Sequence, residues 1–320
     1  MSGIRLLLRV LFAALLAALW LVLSLAIVGL FYRPNTQIPE DLQGQTLSVR
    51  GIPLRVLQNG LKAQGHDVLL IHGSPGSLED WTPVYDALKS EFRVTVFDRQ
   101  GHGWSGDSGV YSPSDNAETA IALMDQLDLH DVTVVGHSYG GAVALAMALR
   151  TPRRVAAYVI VDSAAYVPSR KVEPFHELIA QPVLGVGAAS VLGTFLAPSI
   201  IRKGLEDVSK HTPPEDFVAL RQRIWSTPKV LHSAARETVD AADALMEQSP
   251  RYPEIKRPVT VVAQADDLFR NDTARRLHRD IDDSRLVLLS GAGHYLQFDK
   301  TSEVVNAIRH ALDAAAEDGQ

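Results

Sequence analysis

The chain has 320 residues and not one of them is cysteine. This absence excludes disulfide bonds, a thiolate nucleophile and cysteine-ligated zinc, but it is compatible with both the cytosol and the periplasm. The H-E-x-x-H spacing of a helical zinc site is absent as well, so we expect no metal centre. Any catalytic chemistry must therefore come from other side chains.

Clustered positive charge is also absent from the sequence. The formal net charge is -6 at pH 7, and the sequence contains no basic block. A protein that binds a phosphate backbone needs clustered lysine or arginine, because neutralising phosphates supplies most of that affinity. Hydrophobic residues make up 46% of the chain and charged residues 21%, which excludes a disordered protein. We expect a folded protein that does not bind nucleic acid.

The N-terminal region is strongly apolar. Residues 10–32 include no charged side chain, and a helix of that length crosses a hydrocarbon layer of roughly 30 Å. Arg33 and Pro34 end the run. The pattern predicts a single transmembrane helix, with residues 1–33 as the membrane anchor and residues 34–45 as a linker.

The charges that flank this run predict its orientation. Arg5 and Arg9 precede it, so the basic excess lies on the N-terminal side, and we expect a cytoplasmic N-terminus with the rest of the chain on the periplasmic or extracytoplasmic side. A cleaved secretory signal is the alternative, because Ser24-Leu25-Ala26 is an acceptable small-x-small site. The apolar run continues past that site to Phe31, which favours the anchor.

The remaining chain alternates short β-branched runs with helical patterns. Such a rhythm indicates βαβ units and predicts an α/β fold with a mostly parallel sheet flanked by helices, after an initial hairpin near residues 46–57. Between about residues 166 and 255 the strand pattern stops, and prolines separate short helical stretches. We therefore predict a core formed by residues 46–165 and 256–316, with residues 166–255 inserted as a helical cap.

A candidate nucleophile lies at the end of one predicted strand. The sequence Gly136-His137-Ser138-Tyr139-Gly140 follows residues 132–135 directly and opens a helical pattern. A sharp turn between a strand and a helix needs small flanking residues, since side chains there would collide with the neighbouring elements. The motif and its context predict that Ser138 is held out as a nucleophile.

A serine hydroxyl needs a base that takes its proton near neutral pH, and imidazole is the usual one. Of the 11 histidines, His294 has the most suitable position, in a glycine-containing loop after the last predicted strand. The alternative is an ordinary histidine of a surface loop. We predict that His294 is the base.

The base in turn needs a buried carboxylate that orients it. Asp266 and Asp267 follow the predicted strand at residues 259–263, and Asp162 follows the one at residues 155–161. We favour Asp267, while Asp266 and Asp162 remain alternatives.

An oxyanion needs backbone N-H donors. The residue after the nucleophile, Tyr139, supplies one of them, and Ser74, in the turn His72-Gly73-Ser74-Pro75-Gly76, is the candidate for the other. We expect these two amides to form the oxyanion hole.

Together these motifs resemble the α/β-hydrolase family over nearly all of residues 46–315. The segments that carry the resemblance are residues 72–76, 98–105 and 136–141, the Asp266-Asp267 turn and Gly293-His294. The resemblance implies the α/β-hydrolase fold and a Ser138, His294 and Asp267 triad that works through an acyl-enzyme. It also implies an oxyanion hole from Ser74 and Tyr139, and no cofactor.

Two features qualify the resemblance. Many relatives have glycine at the position of Gln264, three residues before the acid, and this departure weakens the choice of Asp267. The His-Gly-x-Pro loop is also similar to that of epoxide hydrolases and haloalkane dehalogenases, which use an aspartate nucleophile. Ser138 stands at that place here, so those activities are disfavoured.

The sequence thus predicts a serine hydrolase that cleaves a carboxylic ester or a related acyl bond in a small, apolar substrate. A cofactor-free haloperoxidase or perhydrolase and a non-catalytic, membrane-tethered binding module are the alternatives.

Residues 178–201 carry no charge, but a second membrane crossing there would separate Ser138 from His294. We expect this segment to pack inside the cap, to line the substrate entrance or to touch the bilayer.

Overall fold

The computed structural model describes residues 2–60, 66–150, 153–167 and 171–318. It begins with the long helix α1, Ser2–Phe31. Among the described residues this is the single unbroken helix that is long and apolar enough to cross a membrane. Its most apolar stretch has a mean hydropathy of 2.8 and contains no fully buried residue. The length and composition of α1 are those predicted for the anchor.

An eight-stranded sheet forms the centre of the protein, in the order β1-β2-β4-β3-β5-β6-β7-β8. Strands β1 and β2 form an antiparallel hairpin, β2 is antiparallel to β4, and the other neighbours are parallel. The predicted hairpin and mostly parallel sheet are confirmed. The strands are Gln45–Val49 (β1), Ile52–Gln58 (β2), Asp67–Ile71 (β3), Arg93–Phe97 (β4), Val132–His137 (β5), Val155–Val161 (β6), Val259–Gln264 (β7) and Ser284–Leu289 (β8).

Helices cover both faces of this sheet, which is why its central strands are continuous apolar runs rather than alternating ones. Leu69 and Val134 pack on one face with α3, α4 and α10, while Val68 and Val135 pack on the other with α2, α11 and α12. Each such side chain, when fully buried, contributes about 1.5–3 kcal/mol. These helices are Thr82–Leu88 (α2), Pro113–Gln126 (α3), Tyr139–Ala148 (α4), Leu268–Asp280 (α10), Leu296–Asp299 (α11) and Thr301–Asp318 (α12).

Among the described residues, five α-helices and a 3-10 helix at Ser249–Glu254 lie between β6 and β7, where the sequence predicts the cap. Several prolines that appear as breaks in the sequence begin helices here, because proline at the first turn loses no hydrogen bond. Residues 168–170 of the predicted cap lie outside the described residues. The helices are Pro174–Ile179 (α5), Leu184–Phe195 (α6), Ala197–Val208 (α7), Glu215–Trp225 (α8) and Pro228–Gln248 (α9).

Buried charges join the cap to the core. Arg99 follows β4, and its guanidinium is paired with the carboxylate of Glu237 on α9. Arg221 on α8 donates at 2.8 Å to Asp80, which lies in the 3-10 turn Leu78–Trp81 that precedes α2. Removing one member of a buried ion pair leaves the other charge uncompensated. These pairs therefore fix the position of the cap over the sheet.

Candidate active site

The end of β5 turns sharply into α4 at Ser138. This serine has φ 53° and ψ -119°, a conformation that costs energy for any residue with a Cβ. Glycines make the turn possible: a Cβ at Gly136 would lie 2.2 Å from the Gly140 carbonyl oxygen, and one at Gly140 would lie 2.3 Å from that of Ile71. The backbone of this turn is therefore strained at Ser138, the predicted nucleophile.

Ser138, His294 and Ser74 line one cavity of about 400 Å³ between the core and the cap. Most of the remaining wall is apolar, which suits a substrate with hydrocarbon parts. The cap contributes Phe175, Ile179, Ile200, Ile201, Leu205, Val208, Trp225 and Leu231. The structure thus brings the predicted nucleophile, the predicted base and one predicted oxyanion donor together.

The ring of His294 is held from its Nδ1 side. Nδ1 lies 2.6 Å from Oδ2 of Asp162, and the backbone N-H of His294 donates to the Val208 carbonyl at 2.8 Å. With Nδ1 bonded to a carboxylate, the lone pair of a neutral imidazole is on Nε2. Among the described residues no hydrogen bond joins Ser138 to His294, although both line the same cavity. His294 can therefore accept a proton through Nε2.

The carboxylate at His294 differs from the one that the sequence favours. Asp267 is exposed, and its side chain accepts from the Arg270 backbone N-H at 2.9 Å, where it caps the N-terminus of α10. Asp266 is also exposed and accepts from the Gly291 N-H at 2.9 Å. The prediction that Asp267 orients His294 is therefore wrong for this geometry, because the start of α10 engages its carboxylate instead.

Asp162 is fully buried and has several donors besides His294. The backbone N-H and the side-chain amide of Gln264 lie 3.3 and 3.2 Å from its carboxylate, and Nε of Arg270 lies 3.3 Å from Oδ2. Burial alone raises the pKa of this carboxyl, but the hydrogen bond and charge of His294, together with Arg270, hold the pKa below its ordinary value. Asp162 is therefore an ionised partner for the imidazole.

Sequence reasoning missed the contributions of Gln264 and Arg270. One signal was available: Gln264 stands where many relatives have glycine, and its amide reaches the carboxylate of Asp162. A glycine has no side chain to donate. The departure from the family pattern is therefore tied to the position of the acid.

The imidazole of His294 has a lowered pKa. Burial disfavours its charged form, and the nearby cation of Arg270 acts in the same direction, while the hydrogen bond to Asp162 opposes both. A lowered pKa keeps the ring neutral at pH 7. His294 is thus in the protonation state that a general base requires.

Two backbone N-H groups near Ser138 are free to bind an anion. In the part of the chain that the structure describes, neither the Ser74 nor the Tyr139 N-H donates to another protein group. Gly73 keeps the space beside the serine open, because a Cβ there would lie 3.0 Å from the Ser138 Cβ. Both predicted donors are therefore unpaired, as an oxyanion hole requires.

The described residues contain no cluster of three or more histidine, aspartate or glutamate side chains that could hold a metal ion. The polar groups around Ser138 are instead the paired side chains of His294 and Asp162 and the unpaired N-H groups of Ser74 and Tyr139.

Comparison with known proteins gives the family. Residues 68–301, well over half of the chain, match the family described as alpha/beta hydrolase fold. An acetoin-cleaving-system dihydrolipoyllysine-residue acetyltransferase component from Pseudomonas putida is 33% identical over 56% of this chain and 49% of its own length. A putative carbamate hydrolase, RutD, from Caulobacter segnis is 36% identical over 37% of this chain and 45% of its own. The chain spans about half the length of these two relatives.

Solved structures share the fold. A thermophilic esterase from Thermogutta terrifontis superposes with a TM-score of 0.69 and 22% identity, covering 86% of this chain and 99% of that one. At this level of identity the likeness concerns the fold.

Proposed function

Because the chain belongs to the α/β-hydrolase family, we propose that it is a serine hydrolase that cleaves a carboxylic ester or a related acyl bond. The observation that carries the proposal is the chain of contacts at one cavity: a strained Ser138, a His294 whose Nδ1 is bonded to buried Asp162, and unpaired amides beside the serine. The relatives named as an esterase and a putative carbamate hydrolase support the same reaction class.

The proposed reaction has two halves. Oγ of Ser138 attacks the acyl carbon while its proton moves to Nε2 of His294, and the resulting oxyanion accepts hydrogen bonds from the N-H groups of Ser74 and Tyr139. Asp162 stabilises the imidazolium. His294 then protonates the leaving alcohol as its bond to the acyl carbon breaks.

Water completes the cycle. It attacks the acyl-enzyme as His294 takes one of its protons, and the same imidazolium returns that proton to Ser138 as the acid product leaves. No cofactor takes part in this scheme. The apolar cavity wall supports a substrate with a hydrocarbon acyl or alkyl group.

We also propose that α1 anchors the protein in a membrane, with the N-terminus in the cytoplasm and the catalytic domain on the other side. The apolar and largely exposed length of α1 supports the anchor, and Arg5 and Arg9 at its start support the orientation. The full-length protein should remain in the membrane pellet after an alkaline carbonate wash. Release of a shortened soluble form would indicate a cleaved signal instead.

A fluorophosphonate probe tests the catalytic proposal, because it labels an activated serine. Wild-type protein should be labelled, and Ser138→Ala should not. The matched control is Ser163→Ala, which removes a hydroxyl that bonds the Ser138 carbonyl oxygen at 3.2 Å but is not the proposed nucleophile, and it should keep labelling. Labelling that persists in Ser138→Ala would place the nucleophile elsewhere.

A further inference from the structure

Helix α1 packs against the cap helix α6 along one narrow stripe. Leu25, Ala26 and Gly29 are the residues of α1 that the rest of the protein partly covers. The approach is close: a Cβ on Gly29 would lie 2.1 Å from the Val183 carbonyl oxygen, and one on Gly187 would lie 2.0 Å from that of Leu25. Small residues at such contacts are typical of helix pairs inside membranes.

The length of α1 places this contact inside the hydrocarbon layer. The apolar part that is exposed along its whole length runs from Val10, just after Arg9, to Ser24. These residues extend about 22 Å at the helical rise. A hydrocarbon layer of about 30 Å is thicker than that, so a spanning α1 must also use the stretch from Leu25 to Gly29. Helix α6 is then inside the layer too.

The composition of α6 suits the hydrocarbon layer. It has no charged residue, and it runs antiparallel to α1, since Val183 contacts Gly29 and Gly187 contacts Leu25. The end of α6 at Phe195 is about 12 Å beyond Gly187 at the helical rise, on the side toward the bilayer centre. Phe195 is 75% exposed.

The chain turns at this end of α6. Helices α6 and α7 meet at 79°, and together they are apolar enough for a broken span or a re-entrant segment. Leu196 at the turn and Ile200 on α7 are more than half exposed. An exposed apolar corner that adjoins a membrane helix is suited to lipid rather than water.

The active-site cavity reaches this same surface. Ile200 and Phe175 both line the cavity and are also exposed to solvent. The cavity wall nearest the corner is therefore apolar at these two residues. A hydrocarbon chain could follow these side chains from lipid toward Ser138.

We propose that the corner between α6 and α7 inserts into the hydrocarbon layer of the bilayer, and that the cavity takes its substrate from the lipid phase. The substrate class is a long-chain acyl ester dissolved in the membrane. This inference rests on the proposed hydrolase activity and on α1 as an uncleaved anchor.

Charged residues set the depth of insertion. Arg202 and Lys203 on α7 follow Ile200 within one turn, and Arg202 is paired with Glu215 through two contacts of 2.8 Å. Long basic side chains reach toward the headgroups from the edge of the hydrocarbon. Because α7 leaves the corner at 79° to α6, these basic residues lie close to the corner and limit how deeply it enters the hydrocarbon.

The absence of cysteine makes the depth directly measurable. Phe195→Cys and the control Met246→Cys, which is 60% exposed on α9 between acidic residues, can each carry one bimane probe. The full-length variants are reconstituted into phosphatidylcholine vesicles with a nitroxide on the acyl chain. The probe at residue 195 should be quenched by the nitroxide and shielded from aqueous iodide, and the control should show the reverse. Equal iodide quenching of both probes would overturn the insertion.

A charged substitution at the corner tests whether the substrate enters from the lipid. Phe195→Asp should lower kcat/KM for a long-chain ester in vesicles by about tenfold, because a carboxylate is strongly disfavoured in hydrocarbon, and should leave a water-soluble acetyl ester unaffected. Met246→Asp should change neither. Equal loss on both esters, or no loss on either, would contradict entry from the lipid.

Fluorophosphonate labelling in the same vesicles separates this inference from the catalytic proposal. If Ser138 is labelled normally but the probe at residue 195 is in water, the insertion fails and the hydrolase proposal stands. If wild-type protein is not labelled, the catalytic proposal fails whatever the depth of the probe.

Discussion

Strands β6 and β7 are neighbours in the sheet, and each is followed by aspartate at its carboxyl end. The carboxylate of Asp162, after β6, is fully buried and touches the ring of His294. The carboxylates after β7 are exposed: Asp266 contacts Lys210 and Gly291, and Asp267 caps α10. Either strand end is near enough in the fold to supply an acid to the loop that carries His294.

The difference between the two ends lies in donors and water. A buried carboxylate remains ionised only where hydrogen bonds and cations replace its hydration, and Gln264, Arg270 and His294 do this for Asp162. At the β7 end, solvent screens the charge, and a helix terminus uses one of the carboxylates. The strand end that excludes water is therefore the one that can hold an imidazole in a single orientation.

The largest effect should come from removing the imidazole. Since triad members act as a unit, His294→Ala should lower kcat by a factor on the order of 10⁶, and adding Asp162→Asn to that variant should cost almost nothing more. Steady-state hydrolysis of one ester by the single and double variants measures this. A large additional loss in the double variant would mean that Asp162 acts independently of His294.

Removing a donor to Asp162 should have a smaller effect. Gln264→Ala deletes the side-chain amide that lies 3.2 Å from Oδ2, and a hydrogen bond to a charged group is worth enough to lower kcat/KM by about tenfold. The control is Asn271→Ala, which removes a neighbouring amide that bonds the Ala265 carbonyl oxygen and not Asp162. Similar losses in both variants would indicate general damage to the β7 end.

The pH profile tests Arg270. Because this cation lowers the pKa of His294, wild-type kcat/KM should fall only below the ordinary imidazole value of about 6.5. Arg270→Gln should raise that pKa and move the acid limb to higher pH, so that activity at pH 6 drops severalfold relative to pH 8. Arg275→Gln, which alters a surface contact with Asn271, is the control. An acid limb that does not move would show that Arg270 does not lower the pKa of His294.

The smallest effect should come from Asp267. Replacing an N-cap aspartate with alanine costs about 1 kcal/mol, whereas asparagine caps equally well. Asp267→Ala should therefore lower the melting temperature slightly while Asp267→Asn should not. Both should retain activity, as monitored by ester hydrolysis beside thermal unfolding. Lost activity with an unchanged melting temperature would assign Asp267 a catalytic role.

Much of the fold could be predicted from the sequence, since β-branched runs and glycine-flanked turns report local structure directly. Ser138 and His294 were accessible for the same reason, as each follows a strand in a recognisable turn. The acid was harder to predict. Which aspartate serves as the acid depends on which strand end is shielded from water. That shielding comes from side chains such as Arg270, which belong to a different element and leave no local sequence pattern.

The most direct test compares kcat/KM of Asp162→Asn and Asp267→Asn on the same ester. Loss of the carboxylate that orients the base should lower the value by about 10⁴-fold in Asp162→Asn, and Asp267→Asn should stay close to wild type. The reverse order, with Asp267→Asn inactive and Asp162→Asn active, would contradict the assignment of Asp162 as the partner of His294.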